Sequence, residues 1–145
     1  MLKKLIKNNL NSIATYLCIC IILLMVRFLL MIFYVLELSE RGIGMIIYAT
    51  FSLYLCFMAG KLYLIKIGNA LINILSLLPL VIVTVAIVGV SYGNPGSIGN
   101  ILVIPTFPMS EVLAYFTHIE RKYAYMIMSI LPSLAMWIGV HFKKL

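Results

Sequence analysis

Runs of about 20 apolar residues follow one another until they fill nearly the whole chain, at the length of a membrane span. The mean hydropathy is +1.15, and 64% of the residues are hydrophobic. A soluble domain of 145 residues has too little interior to bury that much apolar surface. In lipid, by contrast, a helix satisfies every backbone polar group internally. The sequence therefore predicts an all-α, polytopic (multi-pass) integral membrane protein, with one transmembrane helical domain over residues 1–145.

Four apolar segments predict four spans that are separated by short polar breaks. The predicted spans are residues 10–36, 43–60, 70–90 and 123–142. The basic N-terminus resembles the start of a signal peptide, but the apolar run after it is too long and no small-residue cleavage site follows. We therefore expect the first span to be retained.

The outer loop over residues 91–122 begins with glycines and a proline that break helices, and its second half is harder to assign. Pro105 and Pro108 interrupt its apolar residues. Ser110 is expected to cap a helix that begins at Glu111, because a hydroxyl accepts a backbone N–H and a carboxylate suits the positive end of the helix dipole. That helix would present on one side Val112, Leu113, Phe116 and Ile119. An amphipathic interfacial helix or a re-entrant segment fits this pattern, and a fifth full span is the alternative.

The distribution of positive charge does not separate four spans from five. The formal net charge is +7, and the basic residues lie mostly at the ends of apolar runs, where they fix orientation and contact anionic headgroups. Both arrangements place the same number of basic residues on the cytoplasmic side. The extra segment would carry two prolines and Glu111, which makes it a poor membrane span. Four spans are therefore predicted in the cell (inner or plasma) membrane, with both termini cytoplasmic.

Arg27 lies within the first predicted span. An arginine at membrane depth is costly, and it normally faces protein or water where it finds an acceptor. Tyr16, Cys20 and Tyr34 share its helical stripe, which is expected to face the bundle. We hypothesise that Glu111 pairs with Arg27 from the outer side. Two roles are open for Arg27. It is either an anion or substrate contact, or a structural ion pair or snorkelling side chain.

Two further groups of polar residues are candidates for a functional site. Asn69 and Asn73 share one face of the third predicted span, where polar residues make interhelical hydrogen bonds or line a translocation path. His118 and Glu120 precede the fourth span and are typical of an interfacial charged cluster. The sequence offers no catalytic motif, no cofactor fingerprint and no clustered metal ligands, so no catalytic residue, cofactor or metal is expected.

Cysteines and small residues complete the set of positions that the sequence singles out. Cys18, Cys20 and Cys56 lie inside predicted spans without a CxxC motif and are expected to be buried structural thiols. Ser129 and Ser133, like Ala135 and Gly139, are pairs of small residues four positions apart. Such pairs favour close helix contact, either within the chain or with another chain.

These observations favour a small, bacterial-type membrane protein that is not an enzyme. The first hypothesis is an accessory, assembly or immunity-type subunit that acts by packing against another membrane protein. Its expected partners are the lipid bilayer and either another membrane protein or further copies of the chain. Nucleic acid is not an expected partner, because no basic patch with interleaved aromatic residues lies outside the apolar runs.

The alternative hypothesis is a small transporter or channel. It would use Arg27, Glu111 and the face that carries Asn69 and Asn73. A single chain with four helices is small for enclosing a pathway, so this hypothesis requires a homo-oligomer. An enzyme that acts at the outer interface is the least favoured of the three.

Overall fold

A computed structural model describes residues 2–32, 43–91, 94 and 98–143, and these residues form helices and no β-strand. The helices are α1 (Leu2–Ile32), α2 (Ile43–Tyr63), α3 (Ala70–Leu75), α4 (Leu78–Ser91), α5 (Ile98–Leu102), α6 (Phe107–Thr117), α7 (Arg121–Met128) and α8 (Leu131–His141), with a 3-10 turn at Ile104–Thr106 between α5 and α6. The prediction of an all-α protein is confirmed.

Three helical stretches are long and apolar enough to cross a membrane. They cover Leu2–Leu29, Ala70–Ser91 and Arg121–His141, which correspond to the first, third and fourth predicted spans. The second predicted span falls within α2, a helix of 21 residues. The end of the first predicted span, including Tyr34, lies outside the described residues.

Three prolines determine where helices begin. Pro79, Pro108 and Pro132 are each the second residue of a helix, namely α4, α6 and α8. Proline fits the first turn because its missing N–H would have no intrahelical partner there and its φ is already helical. The third and fourth predicted spans therefore each consist of two helices, with breaks at residues 76–77 and 129–130.

The prediction that Ser110 caps a helix starting at Glu111 is wrong. Because Pro108 is accommodated in the first turn, α6 begins earlier, at Phe107. Ser110 thus lies inside the helix, and its hydroxyl donates to the carbonyl oxygen of Thr106 at 3.0 Å. Bonding to a carbonyl four residues back is the usual alternative for a serine within a helix.

The antiparallel helices α2 and α8 form the most extensive contact in the bundle. Gly60 lies against the backbone of Met136, and Gly139 lies against the backbone of Phe57. A Cβ atom on either glycine would overlap the facing main chain. Small residues permit this close approach of two helix backbones. The prediction that Gly139 mediates close helix packing is confirmed, and its contact lies within the chain.

The loop between α2 and α3 is fixed to both ends of the described chain. The Asn8 side chain on α1 donates to the carbonyl of Ile65 at 2.7 Å and accepts from the Ile65 N–H at 2.9 Å. The Lys143 ammonium, just after α8, donates to the carbonyl of Leu64 at 3.1 Å. The beginning of α1 and the end of α8 therefore lie at the same end of the bundle, which we call the loop end.

Candidate functional site

Residues 102–106, where α5 gives way to the 3-10 turn, pass through the interior of the bundle and are all buried. Helical hydrogen bonding is interrupted here, since Pro105 has no N–H to donate. The Val103 carbonyl accepts locally, from the Thr106 N–H at 3.0 Å. The remaining carbonyls draw on donors from other parts of the chain, because buried backbone groups are almost always paired.

Three hydroxyl groups of α1 and α2 supply those donors. Each bond is given with its acceptor carbonyl and distance: Tyr16 to Leu102 at 2.6 Å, Tyr48 to Ile104 at 3.3 Å and Ser52 to Pro105 at 2.5 Å. Tyr16 lies eight residues beyond Asn8 on α1, about 12 Å along the axis from the loop end. The bonds therefore hold a break in the α-helical backbone deep inside the bundle.

Sequence reasoning identified only the first of these three hydroxyls. Tyr16 and Cys20 are 1% and 0% exposed, so the prediction that their stripe faces the bundle is confirmed for these two residues. Tyr48 and Ser52 were missed. The sequence offered one signal for this site, namely Ser52 among the apolar residues of the second predicted span, because a hydroxyl in lipid needs a hydrogen-bond partner.

Arg27 contacts an aromatic ring at the start of α6. Its guanidinium carbon lies 4.8 Å from the centroid of the Phe107 ring, within the range of a cation–π contact. In the part of the chain that the structure describes, Arg27 makes no ion pair. The Phe107 ring in turn packs on Tyr125 of α7, with 6.0 Å between their centroids.

Glu111 binds α7, so the hypothesised ion pair between Arg27 and Glu111 is wrong. The Tyr125 hydroxyl donates to one carboxylate oxygen of Glu111 at 2.6 Å, and the Arg121 Nε lies 3.5 Å from the other. The short turn between α6 and α7 brings these groups together locally. Because the Arg121 side chain is 70% exposed, its ion pair contributes little stability, and the bond from Tyr125 is the stronger contact.

His118 and Glu120 form the turn between α6 and α7. His118 ends α6 in the left-handed conformation, with φ of 54°, and Glu120 is the N-cap of α7. Both are exposed and line an open cavity of about 410 Å³ together with Glu111 and Arg121. This arrangement brings charges of both signs together at the end of the bundle opposite the loop end.

Asn69 and Asn73 differ in their surroundings. Asn69 is exposed, and its side chain makes no capping hydrogen bond at the start of α3. Asn73 is 1% exposed, and its Oδ1 accepts the N–H of Ile67 at 2.8 Å. This bond places Asn73 beside the loop end, near Asn8. Arg27 lies 19 residues beyond Asn8 on α1, about 28 Å away, so the structure does not bring Arg27 and Asn73 together.

An apolar groove of about 440 Å³ lies on the bundle surface between α2, α6 and the junction of α7 with α8. It is lined by Ala49, Thr50, Pro108, Met109, Val112, Leu113, Phe116, Met128 and Leu131. Three of the four residues predicted for the apolar side of α6 line this groove. The fourth, Ile119, lines the charged cavity instead, because α6 ends before it.

The three cysteines are unpaired thiols in two different environments. Cys20 and Cys56 are buried, as expected, whereas Cys18 is exposed and the expectation is wrong there. Residues two apart on a helix point about 200° apart, so Cys18 and Cys20 cannot both face the bundle. Among the described residues, no three His, Cys, Asp or Glu side chains are grouped so that they could hold a metal ion.

No protein-family model, curated protein or solved structure matches this chain.

Proposed function

We propose that the protein has four spans in the cell membrane, both termini cytoplasmic, and a re-entrant segment over residues 98–117. The three apolar helical stretches and the length of α2 support four spans. The position of Lys143 at the loop end, beside the contacts of Asn8, supports an even number of spans. The bond from Tyr16 to Leu102 supports the re-entrant segment, because irregular backbone is tolerated at membrane depth where protein buries it.

We propose further that the protein is a non-enzymatic accessory subunit, of an assembly or immunity type, that binds a transmembrane helix of another membrane protein in the apolar groove. The groove itself carries this proposal, because its lining offers packing and almost no polar group. Ala49 and Thr50 are small enough to let a helix backbone approach closely. Met109 and Met128 are flexible and adapt to the shape of a partner.

The other small-residue faces are less suited to a partner. Gly139 contacts α2 within the chain, and Ser129 and Ser133 are buried at 0% and 3% exposure. A partner would have to open the bundle to reach them. The groove needs no such rearrangement, so we place the contact there.

The alternative function, a homo-oligomeric transporter or channel, has less support. Arg27 has no ion pair among the described residues, which suits an anion contact. Asn73, however, lies beside the other end of α1 and is already bonded to the N–H of Ile67. A pathway through both residues would have to cross the buried segment at residues 102–106. We therefore rank this function second.

Site-specific photo-crosslinking in the native membrane tests the accessory function. A photoreactive residue at Val112, in the groove, is expected to give one discrete adduct with a different membrane protein. The matched control is Ile22, which is 51% exposed on α1 and lies outside the groove. A discrete adduct at Val112 but not at Ile22 supports the proposal. Only lipid adducts at both positions, or only a dimer of this chain at Val112, would contradict it.

A further inference from the structure

Three buried side-chain atoms have no hydrogen-bond partner among the described residues: Oδ1 of Asn9 on α1, Nδ2 of Asn73 on α3 and Oγ of Ser133 on α8. Asn73 and Ser133 are 1% and 3% exposed. Buried polar atoms in native proteins are almost always bonded to protein or to ordered water. Each atom therefore indicates a binding partner that the surrounding side chains do not supply.

The register of α3 against α8 puts Asn73 and Ser133 at the same level of their interface. These helices run antiparallel, because α3 begins and α8 ends at the loop end. The indole Nε1 of Trp137 donates to the carbonyl of Ala70 at 3.1 Å, which sets their register. Asn73 follows Ala70 by three residues and Ser133 precedes Trp137 by four, so both lie one helical turn from that bond.

Two helix breaks occur close to this level. Residues 76–77 separate α3 from α4, and residues 129–130 separate α7 from α8. Pro79 and Pro132 each remove the N–H that would bind a carbonyl four residues earlier. In spans of this kind, ordered water is one of the groups that satisfies the released backbone.

The orientation of the Asn73 amide decides the chemistry of the missing partner. Because Oδ1 accepts the Ile67 N–H, the unmatched group is the NH₂ donor, which disfavours a cation. An anion would be buried without compensation, since the nearby Lys66 and Lys143 ammonium groups bind carbonyls at the loop end. Ser133 Oγ both donates and accepts. A small neutral molecule that accepts from Asn73 and bonds to Ser133 meets these requirements.

We propose that one water molecule binds between Nδ2 of Asn73 and Oγ of Ser133 and joins α3 to α8. It accepts from the amide, bonds to the hydroxyl and retains a hydrogen for a carbonyl that Pro79 or Pro132 leaves without its helical donor. A buried water typically makes about three hydrogen bonds, which matches this set. The site links the two broken spans internally, and it does not depend on the proposed partner binding.

Thermal unfolding of the full chain in lipid nanodiscs tests the site through the sign of one mutation. With water bound, Ser133→Ala removes one of its partners and is expected to lower Tm by about 2–4 °C. In a dry site, the same change removes an unsatisfied hydroxyl and raises Tm. Ser129→Ala is the matched control, because the Ser129 hydroxyl donates locally, to the carbonyl of Met126 three residues earlier at 2.7 Å. Each shift is measured relative to this control.

A high-resolution structure of the unmodified protein gives the direct readout, and it also decides the case if Ser133→Ala does not fold. Density for one water within about 3.2 Å of both atoms is expected. An empty site, or a direct bond between Asn73 and Ser133, would overturn the proposal. A rise in Tm for Ser133→Ala relative to Ser129→Ala would overturn it as well.

Discussion

The hydroxyl of Tyr16 donates a hydrogen bond of 2.6 Å to the carbonyl oxygen of Leu102, 86 residues further along the chain. Both residues are buried, at 1% and 3% exposure. The bond joins the middle of α1 to the point where α5 ends. An unpaired polar group inside an apolar bundle is costly, so this bond allows the α-helical backbone to be interrupted at such depth.

Replacement of Tyr16 by phenylalanine is expected to destabilise the protein by about 1–3 kcal/mol, since it leaves the Leu102 carbonyl buried without a donor. Unfolding by SDS in mixed micelles measures this change. Tyr54→Phe is the control, because Tyr54 is 56% exposed on α2. Equal effects of the two substitutions would contradict the role of Tyr16.

Replacement of Gly139 by alanine is expected to cost about 1–3 kcal/mol or more, because the new Cβ overlaps the Phe57 backbone and separates α2 from α8. Gly89→Ala is the matched control. A Cβ at Gly89 would meet only the flexible Met126 side chain, at 3.2 Å. We expect it to have little effect on stability in the same SDS assay. A Gly139 variant as stable as the Gly89 variant would show that the close approach does not matter.

The partner of Glu111 is tested by charge exchange. Arg121→Glu combined with Glu111→Arg is expected to accumulate in the membrane better than Glu111→Arg alone, since it removes the repulsion between two neighbouring arginines that the single variant creates. Arg27→Glu combined with Glu111→Arg is expected to give no such recovery, because Arg27 lies over the Phe107 ring. Quantitative immunoblotting of membranes measures both. Recovery by the Arg27 exchange alone would reverse the assignment.

The helical class and the apolar stretches could be predicted because they depend on composition along the chain. The inward direction of Tyr16 could also be predicted, because it follows from helical periodicity. The predicted start of α6 at Glu111 is wrong because two local signals compete: Ser110 favours a cap, whereas Pro108 favours the first turn, where the structure has it.

The contacts of the candidate site depended on information that a single sequence does not contain. The choice of Tyr125 and Arg121 as partners of Glu111 follows from the turn at His118, whose left-handed conformation has no clear sequence signal. The pairing of Gly139 with Phe57 and of Tyr48 with Ile104 joins residues far apart in sequence. The hydropathy of the sequence cannot predict such pairs, because they depend on how the helices pack together.

Cysteine labelling in right-side-out membranes tests the re-entrant segment against a fifth span. Asn94→Cys and His118→Cys place thiols at exposed positions on either side of the segment, and Lys66→Cys marks the loop end. Each is made in a background without the native cysteines and treated with a membrane-impermeant maleimide. We expect the first two positions to react in intact membranes and Lys66→Cys to react only after the membranes are opened. Protection of His118→Cys while Asn94→Cys reacts would contradict the four-span architecture.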